Sequence, residues 1–251
     1  MAETWRLITT WGAAPTFNMG LDEALLFSVG APVTLRLYTW SPDTLSLGYF
    51  QALEDVPAAG RAGALVRRIT GGGAIHHAAE LTFSIAAPLE HPLYRGPVAG
   101  SYERVHALVA AALARHGVMA RERGEGRLES DREGTGMCFH ESTAQDLVWD
   151  ARKGVGSAQR RREGRVLHHG SIKLDTTPLE GDIASLARVG VRVTPEALGE
   201  DLADELARAL DLRLVRSAPT PDERAAATAL GARYADPAFL QRRVRRDGPR
   251  D

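Results

Sequence analysis

Two residue types are scarce in this chain, and both can do chemistry. Cys138 is its one cysteine, and Lys153 is one of only two lysines, although Lys and Arg together number 31. A thiolate is a strong nucleophile, provided its site lowers the thiol pKa and gives access. Lysine is a compact charge on a flexible stem. It can enter a narrow slot and place one N–H on a single oxygen, where the wide arginine fork would seek two. Each residue also has a plain use, the thiol as a small buried hydrophobe and the ammonium as a solvated charge on a hairpin. Cys138 stands in "GTGMCFHES", at the edge of a glycine-rich loop that would supply access. A strand over 137–140 would put His140 on the same face as Cys138, close enough to help hold a thiolate.

The segment "VRRITGGGAIHH" brings a third feature. Three glycines after a strand let backbone pass close to a ligand, and their N–H groups can converge on an anion or a carbonyl oxygen. Neither a phosphate-binding loop nor the dinucleotide fingerprint fits, since no Gly-Lys-Ser/Thr and no helix follow. A glycine-rich turn or bulge is the plainer alternative. Arg67 and Arg68 alternate in facing, so one of them is expected at the loop. His76–His77 and His168–His169 are adjacent pairs whose members face opposite sides of a strand, so neither pair chelates a metal by itself.

These residues need a scaffold, and the hydropathy pattern supplies one. A helix is expected over 14–29, with apolar positions ending at Val29 and with Thr16 or Asn18 as its cap. Strands follow at 33–40, 44–50, 63–70 and 80–88, then an amphipathic helix over 102–117 stopped by Gly117. Residues 121–136 read as a mobile surface loop. A hairpin follows, with arms near "QDLVWD", "GVGSAQRR" and "VLHHGSIKLD" and a turn at Arg162-Glu163-Gly164. Beyond residue 180 the pattern is helical and polar, with Pro195 and Pro221 suited to first turns. The last residues, "RRVRRDGPRD", read as a frayed basic tail.

The bulk numbers restrict the function. The chain has 251 residues, 44% hydrophobic and 25% charged, with a net charge of −1. That composition fits a globular protein and offers no global field for nucleic acid. No signal-peptide pattern and no membrane-length apolar run is seen, so a cytoplasmic protein is expected. One cysteine excludes an internal disulfide framework.

Taken in order, "FNMGLDEALL", "TLRLYTWSPDTLSLGYFQ", "RRITGGGAIHHAAELTFS", "CFHESTAQDLV" and "RKGVGSAQRRREGRVLHHGSI" resemble the lipoate–protein ligase/octanoyltransferase family, relatives of biotin protein ligase. The resemblance covers about residues 5–175. It implies an α/β (α+β) fold: a central mixed, largely antiparallel sheet with flanking helices and a small second sheet. Residues 1–180 would form the catalytic domain. Residues 181–251 would be a helical extension packed on it.

By match of motif, Arg68, Thr70, Gly71, Gly72, Gly73, Ala74 and His77 fall on the family's ligand-contacting loop. Lys153 falls on the lysine that holds the acyl carbonyl, with Ser157 in the same hairpin and His169 on its second strand. Cys138-Phe139 stands where one transferase branch carries a nucleophilic cysteine, and "ELTFS" is also closer to that branch. Gly73, His140 and Ala78 depart from its usual pattern. The resemblance implies an octanoyltransferase that moves an octanoyl group from acyl carrier protein, through a thioester on Cys138, to a lysine of a lipoyl-domain protein such as the glycine-cleavage H protein. No cofactor would be required, and no nucleic acid or membrane partner is implied. An ATP- and magnesium-dependent lipoate ligase is the alternative within the family. A non-catalytic acyl- or nucleotide-binding module is the alternative outside it. For the base that deprotonates the incoming amine, His77 and His169 are the candidates.

Overall fold

The computed structural model describes residues 2–28 and 30–242. Val29 and the tail from residue 243 onward lie outside the described residues. In chain order the elements are β1 (Glu3–Ala13), α1 (Pro15–Phe27), β2 (Thr34–Trp40), β3 (Thr44–Leu47), β4 (Ala64–Arg67), β5 (Ile75–His77) and β6 (Glu80–Pro88). Then come α2 (Val98–Ala114), β7 (Arg121–Glu122), β8 (Leu147–Trp149), β9 (Arg152–Arg162), β10 (Arg165–Lys173), α3 (Pro195–Ala209), β11 (Leu212–Arg216), α4 (Pro221–Gly231) and α5 (Pro237–Leu240).

An eight-stranded sheet has the order β11-β1-β2-β6-β10-β9-β8-β7, and a three-stranded sheet has the order β4-β3-β5. In the large sheet only the β11–β1 and β1–β2 pairings are parallel. The fold is therefore the mixed, largely antiparallel α/β layout that the sequence implies. Side-chain alternation decides what covers each face. Leu35, Leu37, Leu81, Phe83 and Ile85 point into the main core with α2 and α3. Ile8 and Ala86 point the other way, against Leu21 and Leu25 of α1 and Ala227 of α4. The small sheet is tied to the α1 side, where Trp40 of β2 stacks on His77 of β5 at 4.1 Å.

Local chemistry sets the boundaries. Pro15 opens α1 with its φ pre-set and no N–H to lose. Thr16 and Asn18 do not cap that helix. The cap position is Ala14, and the Asn18 amide instead binds the carbonyls of Ala13 and Thr39. Glu163 and Gly164 both have positive φ, 51° and 73°, which suits the tight turn between β9 and β10. The 121–136 segment is not all loop, because β7 pairs with β8. The C-terminal extension is not all helix, because β11 joins the sheet edge beside β1. Among the described residues, no helix is long and apolar enough to cross a membrane.

Candidate active site

Two backbone hydrogen bonds fix Cys138. Ala74 donates its N–H to the Gly136 carbonyl at 2.8 Å, and Cys138 donates to the Ala74 carbonyl at 2.7 Å. The cysteine segment is thereby stitched to the glycine loop. A Cβ on Gly73 would lie 2.8 Å from the Cys138 nitrogen, so the approach requires glycine there. Gly72 has φ of +93° and so carries the loop through a turn that other residues avoid.

Cys138–His140 is a 3-10 turn, not the expected strand. Residues two apart on such a turn do not share a face. His140 accordingly points away from the sulfur, with Nε2 on the Glu180 carbonyl (2.6 Å) and Nδ1 on Thr135 Oγ1 (2.9 Å). It gives the thiol no support.

That support comes from Lys153 on β9. Its Nζ lies 3.3 Å from Cys138 Sγ, 2.9 Å from the Cys138 carbonyl, 3.2 Å from the Glu141 carbonyl and 2.8 Å from Asp146 Oδ2. Four acceptors compete for three N–H groups. Burial pushes the Lys153 pKa down, but Cys138 and Asp146 more than offset that, and the net direction is upward. The ammonium stays charged at neutral pH and is a ready donor to a sulfur anion or an acyl oxygen.

The other expected residues fall into two groups. Arg68, Gly71, Gly72, His77, Ser157 and His169 line a small pocket, with Met19 and Trp40 among its apolar walls and Cys138 also lining it. Gly72, Gly73, Cys138, Lys153, Asp146 and Ser157 line an open groove that adjoins it. Thr70 and Ala74 line neither. Thr70 holds His169 Nε2 through its hydroxyl at 2.7 Å, and Ala74 anchors the cysteine segment. Arg68 mainly braces the loop, donating to the carbonyls of Gly71 and Gly73 at 2.7 Å each and to the Ser46 carbonyl at 2.9 Å. Burial lowers its pKa to about 10. Arg67 turns away, to the carbonyls of Gly48, Gln51 and Phe239.

Both histidines that face the cavity are fully engaged. His77 puts Nδ1 on Glu80 at 2.6 Å and Nε2 on Ser46 Oγ at 2.8 Å, and burial pulls its pKa to about 4. His169 joins Thr70 to Asp22. Neither ring nitrogen of either residue is left for a substrate. Each pair member faces away from its neighbour, as expected: His76 turns to Asp43 and Thr177, and His168 to Ser157.

Sequence reasoning missed three parts of this region. Asp146 is seven residues from Lys153 and becomes its partner only through the β8–β9 register. The second lysine, Lys173, is buried between Glu80 and Glu180. His106 reaches Ser157 from α2. The scarcity of lysine was a signal for Lys173; nothing in the sequence announced the other two.

A glycine loop, an ammonium and a thiol meet where an apolar-walled pocket adjoins a groove, chemistry of the kind an acyl-transfer site uses. The comparisons agree with that class. Residues 14–197 match the model of the lipoyl protein ligase A/B catalytic domain, and the chain belongs to this family. It is 44% identical over 191 residues to the octanoyltransferase LipM of Moorella thermoacetica, covering 72% of this chain and 68% of that one. It is 34% identical over 264 residues to the LipM of Kyrpidia tusciae, covering 92% and 96%. The fold is similar to that of a lipoate protein ligase from T. acidophilum solved with lipoic acid, with a TM-score of 0.76 at 22% identity, covering 96% and 99% of the two chains.

Proposed function

We propose that this chain is an octanoyltransferase of protein lipoylation. It takes the acyl group from acyl carrier protein onto Cys138 and passes it to a lysine of a lipoyl-domain protein. The observation that carries this reading is the 3.3 Å approach of Lys153 Nζ to Cys138 Sγ at the junction of the two cavities. The likeness to octanoyltransferases over most of the chain supports the same reaction.

In this reading Cys138 Sγ attacks the octanoyl thioester, and Lys153 Nζ, 3.3 Å away, supports the sulfur as it does so. The acyl chain enters the apolar-walled pocket, where each buried CH₂ is worth about 0.8 kcal/mol. Arg68 holds the Gly71 carbonyl, so the N–H across that planar peptide, on Gly72, points the opposite way. Gly72 lines both cavities, and this N–H together with Lys153 is our candidate for holding the developing oxyanion. The carrier leaves as its thiol. A lysine amine then enters by the groove and attacks the acyl-cysteine. Thioester to amide is downhill, so neither ATP nor a metal is required in this reading, and the reaction belongs in the cytoplasm with its carrier-protein donor.

The test is intact-mass measurement after mixing with octanoyl-acyl carrier protein, without ATP. An octanoyl adduct that is absent from Cys138→Ser and is discharged by a lipoyl-domain protein is the expected result. Product formed only with ATP and free lipoate would replace this reading with ligation.

A further inference from the structure

The second half-reaction leaves a proton to place. A neutral amine that attacks the acyl-cysteine must lose an N–H proton to become an amide, and the two cavity histidines present no free nitrogen to take it. Another pair of imidazoles stands beside the groove. His106 Nε2 lies 2.6 Å from Ser157 Oγ, and His168 Nε2 lies 3.0 Å from the same oxygen.

The directions of these bonds are fixed by their far ends. His106 Nδ1 is 2.5 Å from the Gln145 carbonyl, which can only accept, so Nδ1 carries the proton and Nε2 is the lone-pair nitrogen. The Ser157 hydroxyl must therefore donate to His106. His168 Nδ1 faces the Gln159 side-chain amide nitrogen at 3.2 Å, which can only donate, so the proton of His168 is on Nε2 and points at Ser157. The Ser157 oxygen thus gives one hydrogen to His106, takes one from His168 and keeps one lone pair. It can accept one further hydrogen bond.

Ser157 is placed to use that lone pair. It lines both cavities together with Cys138. It is half-buried, and it lies beyond the stretch of β9 that β8 covers, which ends at Val155. The preceding residue, Gly156, is in contact range of the sulfur: a Cβ there would be 3.3 Å from Cys138 Sγ. His168 sits among Phe83, Tyr94 and Tyr102, and burial keeps it neutral. His106 is also lowered by burial, but Asp146 acts on it in the opposite sense, against Lys153. Of the two imidazoles, His106 is the one with a carboxylate to stabilise its charged form.

We infer that Ser157 and His106 take the proton of the attacking amine during transfer to the acceptor lysine. As the C–N bond forms, the amine N–H proton moves to Ser157 Oγ, and the hydroxyl proton moves to His106 Nε2. The C–S bond breaks, and its electron pair returns to Cys138 Sγ beside Lys153. His106 is left as imidazolium and gives its proton to solvent. Ser157 touches the substrate amine. His168 only positions Ser157.

This inference rests on the acyl-cysteine reading, and the two can fail separately. Ser157→Ala and His106→Gln are compared with wild type in two reactions of the preformed octanoyl-enzyme. One is transfer to the lipoyl-domain lysine. The other is return of the acyl group to a thiolate, the carrier-protein thiol, which has no N–H to lose. Transfer to lysine is expected to slow by about 10²-fold or more, the usual reach of acid–base catalysis, in kcat and not in KM. Return to the thiol is expected to slow far less than transfer to lysine, and an unchanged urea midpoint shows that the variants are folded. Equal loss in both reactions, or loss in neither, overturns the inference. Absence of any octanoyl adduct in wild type would instead overturn the reading beneath it.

Discussion

The two lysines of this chain are both buried, 2% and 0% exposed, and both lie near the Phe139 ring, 5.6 Å from its centroid for Lys153 and 4.7 Å for Lys173. They differ in how their hydrogens are spent. Lys173 has three oxygen partners: hydrogen bonds to Glu80 and the His76 carbonyl at 2.7 Å, and an ion pair with Glu180 at 2.9 Å. Lys153 has four partners, one of them a sulfur. In both places burial lowers the ammonium pKa and nearby anions more than restore it. A saturated ammonium has nothing left to offer and can only hold structure. An oversubscribed one can shift a hydrogen from one acceptor to another at little cost, which an acyl oxygen or a departing thiolate would exploit.

Removing each lysine should separate the two roles. Lys173→Met leaves two carboxylates buried without their cation. It should cost about 3–5 kcal/mol of unfolding free energy, seen as a fall in the urea midpoint, with activity per folded molecule within about threefold of wild type. Adding Glu180→Gln should recover part of that stability. Lys153→Met should instead slow formation of the octanoyl-enzyme by about 10²–10³-fold. Its stability loss should be the smaller of the two, since Asp146 keeps the Thr143 N–H at 2.6 Å. Equal destabilisation by the two changes would erase the distinction.

Acid should act in part through the Lys173 side. His77 shares Glu80 with Lys173, and burial holds its pKa near 4, below the ordinary imidazole value of 6.5. The unfolded chain therefore binds a proton that the folded chain refuses. This contribution to stability is complete above about pH 6.5 and is lost progressively as the pH falls toward 4. Glu80, held low by Lys173 and His77, adds a loss of the same sign at still lower pH. At pH 5 the His77 share comes to about 2 kcal/mol, at about 1.4 kcal/mol for each tenfold change in proton affinity. Urea unfolding of His77→Gln should accordingly depend less on pH between 6.5 and 5 than wild type does. An unchanged slope would place the acid sensitivity elsewhere.

The same contrast marks how much of the site was legible beforehand. Cys138 and Lys153 stood out because their residue types are rare, and the glycine loop because few backbones need three glycines in a row. β2, β3, β4, β6 and the turn between β9 and β10 followed from alternation and turn chemistry, whereas β1, β5 and β7 were not anticipated. What stayed hidden depends on register or on a change of period. Asp146 meets Lys153 only once β8 and β9 are paired, and Glu180 meets Lys173 from a loop. His140 was misplaced because a strand was expected where the chain makes a 3-10 turn. β11 was left unassigned between two expected helices, although "LRLVR" alternates apolar with charged and Asp211, at φ of 49°, turns the chain before it. Each is a long-range pairing, or a boundary that tertiary contacts decide.

The smallest change tests how finely the Lys153 side is set. Gly156 leaves room between the lysine stem and the thiol. A Cβ there would lie 3.0 Å from Lys153 Cε and 3.3 Å from Cys138 Sγ, closer than ordinary contact. Gly156 does not have positive φ, so alanine brings no backbone strain. The lysine end is flexible and can give way by a few tenths of an ångström, so folding should be nearly unaffected. The displaced ammonium, however, would keep its carbonyl and Asp146 partners and loosen its hold on the sulfur. Gly156→Ala should therefore lower acyl-cysteine formation by about tenfold, roughly 1.4 kcal/mol of transition-state stabilisation, with an unchanged urea midpoint. A rate equal to wild type would mean that the 3.3 Å approach is not what sets thiol reactivity, and the difference drawn between the two lysines would then lose its functional half.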